Sequence, residues 1–119
     1  MSQEFREQLK KKMDEYVKLV YHVTKSYPRD ELYGVISQLR RSALSVVLNY
    51  IEGYARRRIP TCYHFLEMAY GSLQESRYLL ELSLNENYLS TEDHKVLSGL
   101  ADEISAMLWQ SLKNLEKYK

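Results

Sequence analysis

Only one cysteine, Cys62, occurs in 119 residues, so no disulfide can close within a chain and no thiolate cluster can hold a metal. That usage fits a reducing compartment. No stretch of 18 apolar residues is available to span a bilayer, and the N-terminal MSQEFREQLKKKMDEY is charged throughout, without the apolar core of a secretory signal. A cytoplasmic protein without membrane contact is expected. Glycine is scarce, and Gly34, Gly53, Gly71 and Gly99 are isolated; none forms a phosphate-cradling loop, and each reads as a close-packing site in a helix. His22, His64 and His94 lack the paired carboxylate–histidine spacing of bundle metal sites. Cys62 and His64, two apart on a helix, point about 160° from one another and cannot form a thiolate–imidazole pair within one chain. The expectation is a protein with no cofactor, no metal and no enzymatic activity.

Charge of one sign is also lacking: 17 basic against 16 acidic side chains leave a net +1, which names no partner. The distribution is more informative. Residues 1–60 hold 12 basic and 7 acidic side chains and residues 61–119 hold 5 and 9, so any electropositive surface belongs to the first half.

What is present is helical periodicity. Phe5, Leu9, Met13, Tyr16, Val17, Val20, Val23 and Tyr27 recur at spacings of three and four, predicting a helix over 4–27 ended by Pro28. A second helix is predicted over 31–58, with Asp30 and Glu31 at its start and Arg56, Arg57 and Arg58 at its end, both charges suited to the macrodipole. Ile59-Pro60 interrupts, Thr61 reads as the N-cap of a third helix running to about Asn85, and Ser90 with Asp93 reads as a capping box for a fourth. The third helix would bury Phe65, Ala69, Ser72, Leu73, Ser76, Leu80 and Ser83. The fourth would bury Leu97, Leu100, Ala101, Ile104, Met107, Leu108, Ser111, Leu112 and Leu115. No strand signal competes. Short connections favour antiparallel neighbours, so the prediction is an all-α, up-down-up-down four-helix bundle forming a single domain over 1–119.

The second helix is apolar over too much of its girth. Val35, Ile36, Leu39, Ala43, Val46, Val47, Tyr50, Ile51 and Tyr54 share one face. Leu32, Leu44 and Leu48 widen it to roughly 220°, against the ~100° that suffices for a surface helix. One protomer cannot cover that arc, so a homo-oligomer is expected, with Leu44, Leu48, Tyr50, Tyr54 and Trp109 as candidate contacts. The remaining arc is polar: Gln38, Arg41, Ser42, Ser45, Asn49, Glu52 and Arg56.

The run Tyr33-Gly34, Ser37-Gln38-Leu39-Arg40-Arg41-Ser42-Ala43, Ser45-Val46, Asn49, Glu52-Gly53 and Arg56, with Phe65-Leu66, Ala69 and Gly71-Ser72-Leu73-Gln74-Glu75, resembles a known family. These are the four-helix bundle proteins encoded in intervening sequences of bacterial 23S rRNA genes, which are similar in turn to the accessory variability protein of diversity-generating retroelements. The resemblance implies a ring-like homopentamer that binds RNA or DNA as a ribonucleoprotein accessory. An alternative is a scaffold ring that engages a partner such as a reverse transcriptase. The family's recurrent polar positions fall on Gln38, Arg41, Ser45, Asn49, Glu52 and Arg56, the stripe already drawn from helical angles.

Two readings of the arginines stay open. Arg40, Arg41, Arg56, Arg57 and Arg58 could grip phosphates with their planar forks of donors, or could cap, solubilise and pair locally. Lys10, Lys11 and Lys12 read as a solvated face. The 11 tyrosines and Trp109 suit protein interfaces, with base stacking as the alternative.

Overall fold

The computed structural model describes residues 1–118. Four helices account for most of them: α1 Gln3–Thr24, α2 Ser37–Tyr54, α3 Ile59–Asn85 and α4 Thr91–Glu116. Two starts are capped as serine allows: the Ser2 hydroxyl accepts from the Phe5 N–H at 3.1 Å, and the Ser90 hydroxyl accepts from the Asp93 N–H at 3.0 Å.

Three helices differ in their boundaries from the sequence expectation. First, α1 stops at Thr24 rather than at residue 27. Lys25, Ser26 and Tyr27 donate instead to carbonyls three residues back, His22, Val23 and Thr24, winding the chain tightly ahead of Pro28, which disallows helical angles at Tyr27. Second, α2 is shorter at both ends. A 3-10 turn at Arg29–Glu31 and a wide π turn at Leu32–Ile36 precede it, with Gly34 outside helical angles at φ −113°, ψ −111°. Its C-terminus at Tyr54 leaves Arg56, Arg57 and Arg58 in the connection to α3. Third, Thr61 is not an N-cap. The helix begins at Ile59 with Pro60 in its first turn, where the fixed φ is already helical and the missing N–H would have had no partner.

Neighbouring helices run antiparallel. Arg6 lies over the Tyr54 ring and Arg40 over the Tyr21 ring, pairing the start of α1 with the end of α2 and the reverse. Ser72 bonds Ser45 and Glu75 pairs with Arg41 across α2 and α3. Arg77 pairs with Asp102 and His94 bonds Glu81 across α3 and α4, and Lys12 reaches Glu103 across α1 and α4. The helices therefore follow one another around the bundle, leaving α1–α3 and α2–α4 as its diagonals.

Leu9, Leu39, Leu66, Leu73, Leu80, Leu97, Ile104 and Leu108 are fully buried. On α3 the buried line runs Cys62, Leu66, Ala69, Leu73, Ser76, Leu80 and Ser83. Phe65 and Ser72, expected in it, are half-buried at the α2 boundary. On α4, Leu100, Met107 and Leu115 are likewise only partly covered. Buried serines return their hydroxyls to their own helix, as Ser42 to Leu39 O at 3.2 Å, Ser83 to Leu79 O at 2.7 Å and Ser111 to Met107 O at 2.9 Å.

Tyr16, with no exposed surface, crosses the α1–α3 diagonal. Its O–H donates to Ser76 Oγ at 2.8 Å, because that serine spends its own proton on Leu73 O at 2.7 Å. Burial pushes the Tyr16 hydroxyl up to about 12, and burial does the same for Tyr50. A phenol that is harder to ionise in the fold than in the unfolded chain favours folding below pH ~10, and that advantage shrinks as pH rises from there toward 12. For Tyr16 the loss is on the order of 2–3 kcal/mol. Urea unfolding midpoints measured between pH 9 and 12 should fall along this limb and fall less steeply in Tyr16→Phe; a limb unaltered in that variant would assign the loss to other groups.

Candidate nucleic-acid and subunit interface

The outer surface of α2 carries two parallel lines. Leu44, Leu48 and Ile51, spaced by four and three, are 36%, 54% and 47% exposed and form one apolar ridge. The opposite arc, Leu39, Ala43, Val46, Val47 and Tyr50, is buried. The apolar girth read from the sequence thus does overflow the protomer's own core.

Beside the ridge, the polar line is stitched to itself and to α3. Arg41 Nη2 donates to Gln38 Oε1 at 3.0 Å and pairs with Glu75. Asn49 Nδ2 donates to Ser45 O and Ser45 Oγ, both at 2.9 Å, and Ser72 Oγ donates to Ser45 Oγ at 3.1 Å. Arg56 pairs with Glu52 and lies over the Phe65 ring at 5.1 Å. Ser42, placed on this line by its helical angle, is instead fully buried, its hydroxyl returned to Leu39 O of its own helix. At Gly53 α2 and α3 come close: a Cβ there would stand 3.2 Å from both Cys62 O and Phe65 Cβ.

The five candidate arginines are not one cluster. Arg40 faces α1, donating from Nε to Thr24 Oγ1 at 2.8 Å and from Nη2 to Tyr21 O at 3.4 Å; it clamps the end of α1. Arg41 and Arg56 belong to the stitched line. Arg57 and Arg58 are exposed at the α2–α3 corner, and their side chains make no hydrogen bond or ion pair among the described residues. Of the lysine run, Lys10 pairs with Asp14 and Lys12 with Glu103, leaving Lys11 exposed.

The aromatic candidates also separate. Tyr50 is 4% exposed and therefore lies inside the protomer, with Tyr54 edge-on at 5.0 Å and covered by Arg6 at 3.8 Å from its ring. Neither sits on the ridge with Leu44 and Leu48. Trp109 is half-exposed on α4, the helix diagonal to α2, and its ring meets Tyr70 at 5.9 Å. Between α3 and α4 these rings line a cleft of about 380 Å³ with Tyr63, Glu67 and Glu116. Sequence reading missed this cleft. Its signal was two runs spaced by four and three, Tyr63-Glu67-Tyr70 and Trp109-Lys113-Glu116, which face each other only once the register of the two helices is known.

Cys62 is 5% exposed and burial pushes its thiol up. Among the described residues no group of three or more His, Cys, Asp or Glu side chains is placed to hold a metal ion, and no helix is long and apolar enough to cross a membrane.

A family model for 23S rRNA-intervening sequence protein matches residues 6–110. The chain also superposes on the crystal structure of a protein of unknown function from the S23 ribosomal protein family of Bacteroides thetaiotaomicron. That match has a TM-score of 0.79 at 21% identity and covers 88% of this chain and 98% of the other; it is a likeness of fold. No curated protein matches the chain.

Proposed function

This chain belongs to the 23S rRNA-intervening sequence protein family, and from that premise we propose that it is a non-enzymatic cytoplasmic homo-oligomer, a pentameric ring, that binds RNA or DNA through its α2–α3 corner. The observation that carries the reading is the exposed Leu44–Leu48–Ile51 ridge. Completing the burial of three half-exposed side chains contributes about 1 kcal/mol each, repeated at every contact around a closed ring. The polar line beside the ridge needs nothing from a neighbour, because its members already satisfy one another. It can border a contact without leaving a charge unpaired.

Arg57 and Arg58 are the free cations nearest the ridge in sequence. Two guanidiniums per chain are a weak phosphate site, but five copies of the corner around one axis concentrate the field. Joint substitution Arg57→Glu and Arg58→Glu should cut retention of single-stranded RNA or DNA about tenfold or more while solution mass stays that of the wild-type oligomer. Binding that persists with a steep salt dependence would move the contact to another surface. A second reading, a scaffold ring that engages a protein such as a reverse transcriptase, draws support from Arg40, Arg41 and Arg56 being already engaged within the chain. In that case the double variant would lose assembly or partner binding and no nucleic-acid affinity would exist to lose.

A further inference from the structure

The cleft on the α3/α4 edge is separate from the α2 ridge and is built from different chemistry. Tyr70 and Trp109 are in tilted contact at 49°, their centroids 5.9 Å apart, and together with Tyr63 they line the cleft. Gly71 adds no side chain to it, and a Cβ built there would meet nothing within 4 Å, so nothing at that position narrows the cleft. Glu67 and Glu116 both line the cleft, and neither forms an ion pair among the described residues. Both carboxylates add to burial in pushing the Tyr63 hydroxyl upward, which places their field inside the cleft. At about 380 Å³ it falls at the small end of ligand clefts, ~300–1,000 Å³.

Electron-rich ring faces combined with unpaired carboxylates select positive charge, and a shell of methyl groups suits aromatic walls better than a strongly hydrated metal ion or primary ammonium does. We propose that this cleft binds a small alkylated ammonium cation, seated against the Tyr70 and Trp109 rings where they line it and neutralised by Glu67 and Glu116. The chain already shows the attraction in weak form: Lys113 Nζ sits 6.0 Å from the Trp109 ring centroid. Lys113 lines the cleft as well, so it competes with the ligand, and its charge opposes binding.

Trp109 is the only tryptophan, so its fluorescence reports the cleft directly. The probe is choline chloride, titrated into the 119-residue chain at constant ionic strength. Its neutral carbon isostere, 3,3-dimethylbutan-1-ol, is titrated in parallel. Choline should give a saturable change, and the isostere should require about tenfold more or fail to saturate. Glu67→Gln with Glu116→Gln should weaken choline about fivefold or more, while Lys113→Gln should strengthen it. The substituted residues lie at the surface, and circular dichroism confirms that each variant folds. A linear response, an equal response to the isostere, or carboxylate and lysine variants that do not shift affinity in opposite directions would overturn the proposal. None of these outcomes depends on whether the protein forms a ring or binds nucleic acid.

Discussion

Replacing Leu48 with glutamate is expected to reduce the mass of the protein in solution from an oligomer to a single chain. In the isolated protomer Leu48 is 54% exposed, so a carboxylate there meets water and costs the fold little. In a closed contact the same carboxylate would sit on the ridge between Leu44 and Ile51, one turn from Glu52. It would then be stripped of solvent without a cation to answer it, at a cost of several kcal/mol for each interface. Val96→Glu is the matched control, because Val96 is 55% exposed on α4, away from the ridge. Sedimentation or light scattering at micromolar concentration should find the control assembled and the Leu48 variant not. A wild-type protein that is already a single chain under those conditions, or a Leu48→Glu variant of unchanged mass, would remove the ridge from the assembly and with it the gathering of five arginine corners.

Leu73→Ala should act the other way, destabilising the protomer and not merely its association. Leu73 has no exposed surface and lies at the middle of α3, and its carbonyl receives the Ser76 proton that lets Tyr16 bond across the diagonal. Truncation to alanine leaves a cavity among Leu-rich walls and should cost about 3–5 kcal/mol, a large part of the ~5–15 kcal/mol of a typical domain. The thermal midpoint by circular dichroism should fall by roughly 10–20 °C. A loss under about 1 kcal/mol would mean that the helices close around the gap and that the packing at this level is looser than the burial indicates. Together the two variants separate what folds the chain from what joins its copies.

The helix count, the antiparallel order and the ends nearest Asn85 and Ser90 were legible because periodicity and serine capping are local signals. The α2 boundaries were not. Charge at a helix terminus is compatible with several stopping points, and the departure at Gly34 and the corner at Arg56–Arg58 depend on how the chain enters and leaves the bundle. The sequence showed that the apolar girth of α2 exceeds one neighbour's reach, but not which side chains are left over. Tyr50 and Tyr54 turned inward toward α1, whereas Ile51, counted with the inward face, emerged on the ridge. Size outweighs polarity at two positions of α2: Ser42 and Gly53 are both buried, and at Gly53 a Cβ would already crowd α3. Arg40 and Arg41 are adjacent in sequence but about 100° apart on the helix, so one clamps α1 and the other joins the stitches to α3. The aromatic cleft was invisible for a related reason: each of its walls is an ordinary amphipathic pattern, and only their pairing makes a site.

The buried Cys62 has a practical consequence for anyone handling the protein. A maleimide or iodoacetamide finds no accessible thiolate until α2 and α3 part, so the alkylation rate times the breathing of the helix pair that bears the ridge. Air oxidation of folded copies is slowed for the same reason, so an assembly built from folded copies should come apart in detergent or urea without a reductant.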